Sequence, residues 1–182
     1  IFNVDAANGR LVVPNQTIID RYVNPLFPRT IPIVTAAAAG MLIEQGTLEL
    51  DEAIQTYVPV FPEKQWPVTV RHLMAHTAGI EGDAGDEEPM LLHCDAPADG
   101  LERFATRKQH FEPGTTFHYS SFGWRLVTVA IEAAAGESYA TFVRTRILEP
   151  LGMRHTTIDG VSGPPADMAT YYFPRFAANP RY

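Results

Sequence analysis

The sequence predicts an α/β (α+β) fold in which helices predominate and only a small piece of antiparallel sheet is present. One observation is the apolar periodicity from Ser121 to Ala135, which fits a long helix with a buried face. Another is the alanine-rich run Thr35–Ile43, whose small side chains allow close helix packing. The third is Asn8-Gly9 between two short apolar runs, a strong hairpin signal because both residues tolerate positive φ.

Capping residues and helix breakers predict where the shorter helices lie. The first helix is expected to begin at a Thr35 cap and to end at Gly46. The next ones are expected in this order: a helical turn at Ala53–Tyr57, a helix capped by Thr69 that runs to His76 just before Gly79, and an amphipathic helix at Leu101–Lys108.

Tyr119 lies at the predicted junction between an extended segment and the long helix, after a Pro113-Gly114 turn. Gly136 predicts the end of the long helix, and Ser138 is expected to cap a second helix that Pro150 stops. A tyrosine held at such a junction is well fixed, which suits a functional side chain. The alternative is a core tyrosine whose hydroxyl meets a single partner.

Three segments have weaker signals. Ile18–Val34 is apolar but contains three prolines, which exclude a regular helix and fit poorly in a central strand, so no structure is predicted for it. Glu81–Asp99 is acidic and punctuated by glycine and proline, as in a surface loop or a lid. The tail is loop-like, with an extended piece suggested at Met168–Phe173. Because few strands are found before Phe117, most of the sheet is expected to lie outside this chain.

The composition fits one globular domain over residues 1–182. Apolar residues make up 46% of the chain and charged residues 19%, which is ordinary for a domain with a real core. The formal net charge of −7 gives no basic patch, so neither nucleic acid nor an anionic membrane is expected as a partner. No apolar run is long enough for a membrane span, and the single cysteine, Cys94, has no internal disulfide partner. Localisation and oligomeric state stay open.

His72 and His76 are four residues apart on a predicted helix and would share one face, as two metal ligands do. The helical zinc motif H-E-x-x-H has glutamate where Leu73 stands, and no third ligand is near, so structural hydrogen bonding by these histidines is favoured. The acidic cluster Asp83–Glu88 lacks the alternation of a calcium loop. Gly-rich phosphate loops, C-x-x-C and G-x-S-x-G are absent, so no metal and no cofactor is predicted.

Four runs carry a family pattern: TAAAAGMLIEQGTLELDEAIQTYVPVFPEK (35–64), VTVRHLMAHTAGI (68–80), FEPGTTFHYSSFGWRLVTVAIEAAAGESYATFV (111–143) and ILEPLGMRHT (147–156). In these runs the chain resembles the serine β-lactamase and penicillin-binding-protein-like hydrolases. It is most similar to their class C-like branch, which includes esterases, D-aminopeptidases and LACTB-type proteins. The resemblance implies a β-lactamase/transpeptidase-like fold, of which this chain holds mostly the helical part.

The resemblance also implies an activity, namely acyl-transfer hydrolysis of a small-molecule or peptide substrate: a β-lactam, a D-amino peptide or an ester. In the family a serine followed three residues later by lysine attacks the acyl carbon, and the lysine and the tyrosine of a Tyr-x-Asn element move the proton. Tyr119-Ser120-Ser121 matches that element. Tyr119 is therefore the candidate catalytic residue, and Ser121, which replaces the asparagine, is the candidate substrate-binding residue with a shorter hydrogen-bonding reach.

The nucleophile motif is absent from the sequence. The residues three positions after the four serines (Ser120, Ser121, Ser138 and Ser162) are Gly123, Trp124, Thr141 and Pro165, so no Ser-x-x-Lys occurs. Alignment on Thr35 puts Arg29 and Pro32 at the positions of the family's serine and lysine. Lys-Thr-Gly and His-x-Gly are missing too, so the chain is expected to be an N-terminal portion that lacks the other half of the sheet. Nucleophilic attack by Ser120 beside His118 is disfavoured, because no lysine lies within helical reach.

Three hypotheses follow. The favoured one is a fragment of a β-lactamase-related hydrolase whose catalytic segment, around Asp20–Val34, has been altered by a disturbance of the reading frame. It needs no new chemistry, although it rests on analogy at the level of the fold. The second is a non-catalytic pseudoenzyme that binds a peptide, an acyl ligand or a protein partner. The third is a structural module that assembles through the apolar segment Tyr22–Val34.

Overall fold

The computed structural model describes residues 3–5, 10–13, 32–81, 96–153 and 156–158, and the regular structure in them is mostly helical. The helical elements in chain order are α1 (Pro32–Glu44), α2 (Ile54–Tyr57), α3 (Val70–Met74), a 3₁₀ turn (Pro97–Gly100), α4 (Glu102–Ala105), α5 (Ser121–Ala135) and α6 (Tyr139–Val143), which continues into a π-helical turn (Arg144–Leu148). The expectations that lie outside the described residues concern the Asn8-Gly9 turn, most of Ile18–Val34, most of Glu81–Asp99 and the extended piece at Met168–Phe173.

Three short strands pair in the order β1-β2-β3. β1 (Asn3–Asp5) and β2 (Arg10–Val13) are antiparallel, whereas β2 and β3 (Thr157–Ile158) are parallel, with Val12 opposite Thr157. The pairing joins the two ends of the helical region in sequence, because β1 and β2 precede all the described helices and β3 follows them.

Helix α5 is at the centre of the described core. It packs against α1, α2, α3, α6 and the 3₁₀ turn. Its apolar side chains recur at spacings of three and four, so they cover a wide face of the helix. Four of them have no solvent exposure at all: Leu126, Val127, Ala130 and Ile131. Burial of this face supplies most of what holds α5 in place, since apolar area removed from water contributes about 25 cal/mol per Å².

The caps of α5 and α6 confirm the sequence prediction. Ser120 precedes α5, and its Oγ accepts a hydrogen bond from Gly123 N at 3.1 Å. Gly136 ends α5 in the left-handed conformation, with φ of 68°. Ser138 caps α6 by accepting from Thr141 N at 3.2 Å. The helical path then ends at Leu148, two residues before Pro150.

The prediction that Thr35 caps the first helix is wrong, because α1 begins at Pro32. Proline suits the first turn of a helix, where its missing N–H has no intrahelical partner to lose. Thr35 therefore lies inside the helix, is buried, and hydrogen-bonds through Oγ1 to the hydroxyl of Tyr139 at 2.7 Å. Gly46 follows the end of the helix with φ of 70°, as predicted.

Helix α4 is shorter than the predicted Leu101–Lys108. Lys64 lies at the C-terminal end of this helix. Its Nζ donates to the carbonyl of Ala105, and it also donates to the carbonyl of Arg107, at 2.8 Å. An ammonium group at a helix C-terminus satisfies carbonyls that would otherwise continue the helix or face water. Burial of this group lowers the pKa of Lys64.

No single helix among those described is both long and apolar enough to cross a membrane. The pair Ser121–Ala135 and Tyr139–Leu148 meets the length and composition together, but it is bent by 77°.

Helix α3 begins with a reciprocal cap in which histidine takes the place usually held by glutamate or glutamine. Thr69 Oγ1 accepts from His72 N at 3.3 Å, and His72 Nδ1 accepts from Thr69 N at 3.3 Å. Burial lowers the pKa of His72; Asp51 opposes this shift and Arg71 adds to it. Asp51 and Arg71 also pair with each other through two short contacts, at 2.7 and 2.8 Å.

We expect the stability of the fold to decrease as the pH falls below the ordinary histidine value of about 6.5. The unfolded chain takes up a proton at that pH, whereas folded His72, with its lowered pKa, resists it. A protonated ring also cannot accept from Thr69 N, so the histidine half of the reciprocal cap is lost in acid. Urea unfolding of the parent and of His72→Gln between pH 5 and pH 8 tests this, because glutamine accepts without titrating.

His110→Gln is the matched control, since His110 is exposed and takes no part in this cap. The parent and the control should lose stability together in acid, and His72→Gln should lose less. Equal losses in all three proteins would contradict the role given to His72.

Candidate functional site

Tyr119 is half-buried where an irregular segment meets α5, as the sequence predicts. Ser120 is the N-cap and Ser121 is the first residue of the helix, and both are buried. The start of a buried helix restricts the backbone on the C-terminal side of Tyr119. The three residues Tyr119, Ser120 and Ser121 are therefore presented together at one end of α5.

The side chain of His76 lies against this end of α5. Ser120 N donates to His76 Nδ1 at 3.1 Å, and Trp124 Nε1 donates to His76 Nε2 at 3.0 Å. A neutral imidazole accepts at only one nitrogen, so in either tautomer one of these two groups makes the hydrogen bond and the other only lies against the ring. The default expectation, structural hydrogen bonding by His76, is confirmed.

Two aromatic rings, those of Tyr119 and Phe117, pack against the His76 imidazole. The Tyr119 ring stacks on the His76 ring, with centroids 4.4 Å apart and planes 30° apart. Phe117 meets the same imidazole edge-on, at 5.7 Å and 68°. Phe117 and Tyr119 are two residues apart, and both rings contact the same imidazole. The Phe117 ring is 68% exposed, which leaves an apolar surface beside Tyr119.

The prediction that His72 and His76 share one helix face is wrong, because α3 ends at Met74. His76 has φ of 57°, and no other non-glycine residue in the described ranges has a positive φ. Such a conformation costs roughly 1–2 kcal/mol in a non-glycine residue, so surrounding contacts must hold it. The turn directs the His76 side chain toward α5, whereas His72 stays at the cap of α3.

Backbone hydrogen bonds fix the segment that carries His76. Three N–H groups from the segment before α5 donate to it: His110 to Gly79 O at 2.9 Å, Gly114 to Thr77 O at 2.8 Å, and His118 to His76 O at 2.8 Å. The chain 76–79 is thus held along its length by the chain 110–118. Because these bonds are made by main-chain atoms, they position the site independently of the side chains around it.

The hydroxyl of Ser120 is committed to the fold. Its Oγ donates to the carbonyl of Glu81 at 2.8 Å and accepts from Gly123 N. The His118 ring packs against His110, at 5.6 Å, and against Phe111, at 6.3 Å. These contacts give the His118 ring and the Ser120 hydroxyl different neighbours.

Comparison with known proteins places this chain in a family. A model of the family described as Beta-lactamase matches residues 33–181. This chain belongs to the beta-lactamase family. The match includes α1, the His76 segment and the Tyr119 junction, so the site described above is made of family elements.

Individual relatives agree with the family match. A penicillin-binding protein of Bacillus subtilis is 33% identical over 134 residues, which are 68% of this chain and 28% of that protein. The crystal structure of a penicillin binding protein from Bacillus halodurans is 27% identical with a TM-score of 0.64, and the match covers 74% of this chain and 43% of that one. EstCE1, a hydrolase with promiscuous acyltransferase activity, is 30% identical with a TM-score of 0.57, over 68% of this chain and 36% of that one.

The chain spans about a quarter of the length of the curated relatives that it matches. Its structural neighbours have the β-lactamase/transpeptidase fold, and the regular structure in the described residues of this chain is mostly helical. A serine-hydrolase type of family is therefore established for this chain, and the activity of a whole protein is a separate question.

No group of three or more histidine, cysteine, aspartate or glutamate side chains that could hold a metal ion occurs in the described ranges. His72 Nδ1 and the His76 ring accept hydrogen bonds from within the protein. The acidic cluster Asp83–Glu88 and Cys94 lie outside the described residues.

Sequence reasoning named Tyr119 and Ser121 as candidates but did not find the residues that hold Tyr119. His76 and Trp124 are 48 residues apart, and no local pattern connects them. The predicted helix after Thr69 has seven residues and runs to His76, whereas only Val70–Met74 are helical in the structure. Gly79 is the one local signal for this earlier end. Gly79 shortly after His76 indicates a region of left-handed backbone, and a histidine there points away from the helix face.

Proposed function

We propose that this chain forms the tyrosine side of an acyl-transfer site and binds an acyl ligand there without turning it over. The ligand class is a small molecule or peptide with an acyl group: a β-lactam, a D-amino peptide or an ester. Membership of the beta-lactamase family supports the class of chemistry, and the acyltransferase activity named for EstCE1 agrees with it.

The observation that carries this proposal is the placement of Tyr119. It matches the tyrosine of the family's Tyr-x-Asn element, and its ring is fixed by stacking on His76 at the start of α5. In the proposed site Tyr119 contacts the acyl ligand through its hydroxyl, and Ser121 stands where the family has an amide. The exposed ring of Phe117 offers an apolar surface to the rest of the ligand.

The absence of turnover is proposed from the sequence. No serine is followed three residues later by lysine, and the only lysines are Lys64 and Lys108. Lys64 donates to the carbonyls of Ala105 and Arg107, which ties it to the end of α4. Among the described residues the Ser120 hydroxyl is used as a cap, so neither it nor Lys64 is placed to act as the family's serine–lysine pair.

Two measurements on the purified chain test this proposal. Intact-mass analysis after incubation with a fluorophosphonate or a penicillin should show no added mass. Calorimetric titration with the same penicillin should show saturable binding. Tyr119→Phe should weaken that binding by about two- to twelvefold, the range expected for loss of one hydrogen bond.

Tyr57→Phe is the matched control. Tyr57 is also half-buried, and its hydroxyl accepts from Glu49 N at 2.8 Å, away from the site. It should bind penicillin as the parent does. A covalent adduct on the parent would overturn the absence of turnover, and the mapped position would identify the nucleophile. Lack of any saturable binding by a folded sample would overturn the ligand site.

A further inference from the structure

His76 contacts the Tyr119 junction through its backbone, through a ring nitrogen and through the face of its ring. Its carbonyl accepts from His118 N at 2.8 Å, and its Nδ1 faces Ser120 N at 3.1 Å. These two bonds hold the backbone on both sides of Tyr119. The imidazole also covers the Tyr119 ring itself, at 4.4 Å.

Contacts other than the stacking on Tyr119 also hold the His76 imidazole in place. Trp124 Nε1 faces His76 Nε2 at 3.0 Å from the first turn of α5, and the Trp124 side chain is buried. The left-handed backbone of His76, with φ of 57°, directs its side chain out of the path of α3. The His76 ring is held at its backbone, by a hydrogen bond to one ring nitrogen and by the buried Trp124 side chain beside it. A second ring stacked on a ring held in this way is restricted to one plane.

We propose that His76 is a positioning residue that sets the plane of the Tyr119 ring, and so the direction in which the Tyr119 hydroxyl meets an acyl ligand. The inference rests on the proposed function for the identity of that ligand. The ring orientation itself does not depend on the ligand, because every contact that fixes it lies within the protein.

The test uses His76→Asn in the full chain. Asparagine tolerates a left-handed backbone, and its Oδ1 can accept from Ser120 N in place of Nδ1. The variant therefore keeps the turn and one hydrogen bond but removes the ring that stacks on Tyr119. His118→Asn is the matched control, since His118 lies in the same stretch and its ring contacts His110 and Phe111.

The first measurement is nitration by tetranitromethane, with each tyrosine quantified by peptide mass mapping. Removal of the covering ring should raise the nitration rate of Tyr119 by roughly two- to twelvefold, which corresponds to loss of one aromatic pair. Tyr139 is an internal reporter of unfolding, because its hydroxyl is hydrogen-bonded to the buried Thr35 and its ring packs against the core. Its rate should stay at the parent value, and His118→Asn should change neither rate.

Two outcomes of this measurement would overturn the inference. One is an unchanged Tyr119 rate in a folded His76→Asn sample. The other is a proportional rise at Tyr119 and Tyr139, which would show that His76 merely stabilises the fold.

The second measurement is a double-mutant cycle for penicillin binding. His76→Asn should weaken binding in the parent background and have no further effect in Tyr119→Ala, because its influence passes through Tyr119. Additive effects would overturn the positioning role. If the parent binds no penicillin, the proposed function fails, and the nitration result alone then decides whether His76 orients Tyr119.

Discussion

Gly79→Ala is expected to destabilise the fold by about 2–5 kcal/mol. Gly79 has φ of 68°, which costs an alanine roughly 1–2 kcal/mol. An added Cβ would also overlap the main-chain carbonyl of Phe111, which cannot move aside as a flexible side chain would. Forcing an atom into such a place typically costs a further 1–3 kcal/mol or so. Urea unfolding monitored by circular dichroism gives the free energy of unfolding directly.

Gly136→Ala separates the two contributions. Gly136 has the same φ of 68°, but an added Cβ there meets no atom within 4 Å. It should lose only the conformational part, roughly 1–2 kcal/mol. Equal losses for both variants would mean that the close approach between Gly79 and Phe111 contributes nothing. Because His110 N donates to Gly79 O at 2.9 Å, the Gly79 variant should also disturb the segment that carries His76.

Leu126→Ala is expected to cost about 3–5 kcal/mol. Leu126 has no solvent exposure and lies on the face of α5 that packs into the described core. Truncation removes its transfer free energy and leaves a cavity that the surrounding helices fill only in part. A loss of this size is a large share of the 5–15 kcal/mol or so that stabilises a typical domain. Thermal and urea unfolding should both show it.

Leu151→Ala is the matched control for Leu126→Ala. Leu151 is 69% exposed, so its truncation should change the free energy of unfolding by no more than about 0.5 kcal/mol. Comparable losses at the two positions would contradict the burial pattern around α5.

The helices could be predicted where local signals and tertiary contacts agree. The bounds of α5 follow from its apolar period between Ser120 and Gly136, and the caps at Thr69 and Ser138 follow from side chains that bond to the backbone three residues on. Each of these signals acts within a few residues. The sequence therefore contains all that is needed to locate such elements.

The wrong predictions have long-range causes. Thr35 has the chemistry of a cap, yet Tyr139, 104 residues away, takes its hydroxyl, and α1 starts at Pro32 instead. Helix α4 ends early where Lys64 reaches its carbonyls from 41 residues away. Capping rules indicate which residues can begin or end a helix, and tertiary contacts decide which of them do so.

In the candidate site, too, the local features could be predicted from the sequence and the long-range contacts could not. The position of Tyr119 at a loop-to-helix junction followed from the Pro113-Gly114 turn and the start of α5, and the structure confirms that position. Its catalytic role, like the ligand contact assigned to Ser121, stays a prediction. The stacking of His76 on Tyr119 could not be predicted, because it requires His76 to leave the helix and meet a segment more than 40 residues away.

The contacts of His76 also set the order in which the site is built during synthesis. His76 precedes its donors Ser120 and Trp124 by 44 and 48 residues. At about 5–20 residues per second, a ribosome adds those donors roughly 2–10 s after His76. A helical turn such as α3 forms within microseconds, so it waits through that interval with its last residues unsupported. Conditions that change the speed of translation between these segments will therefore change how long the unfinished site is open to proteases and chaperones.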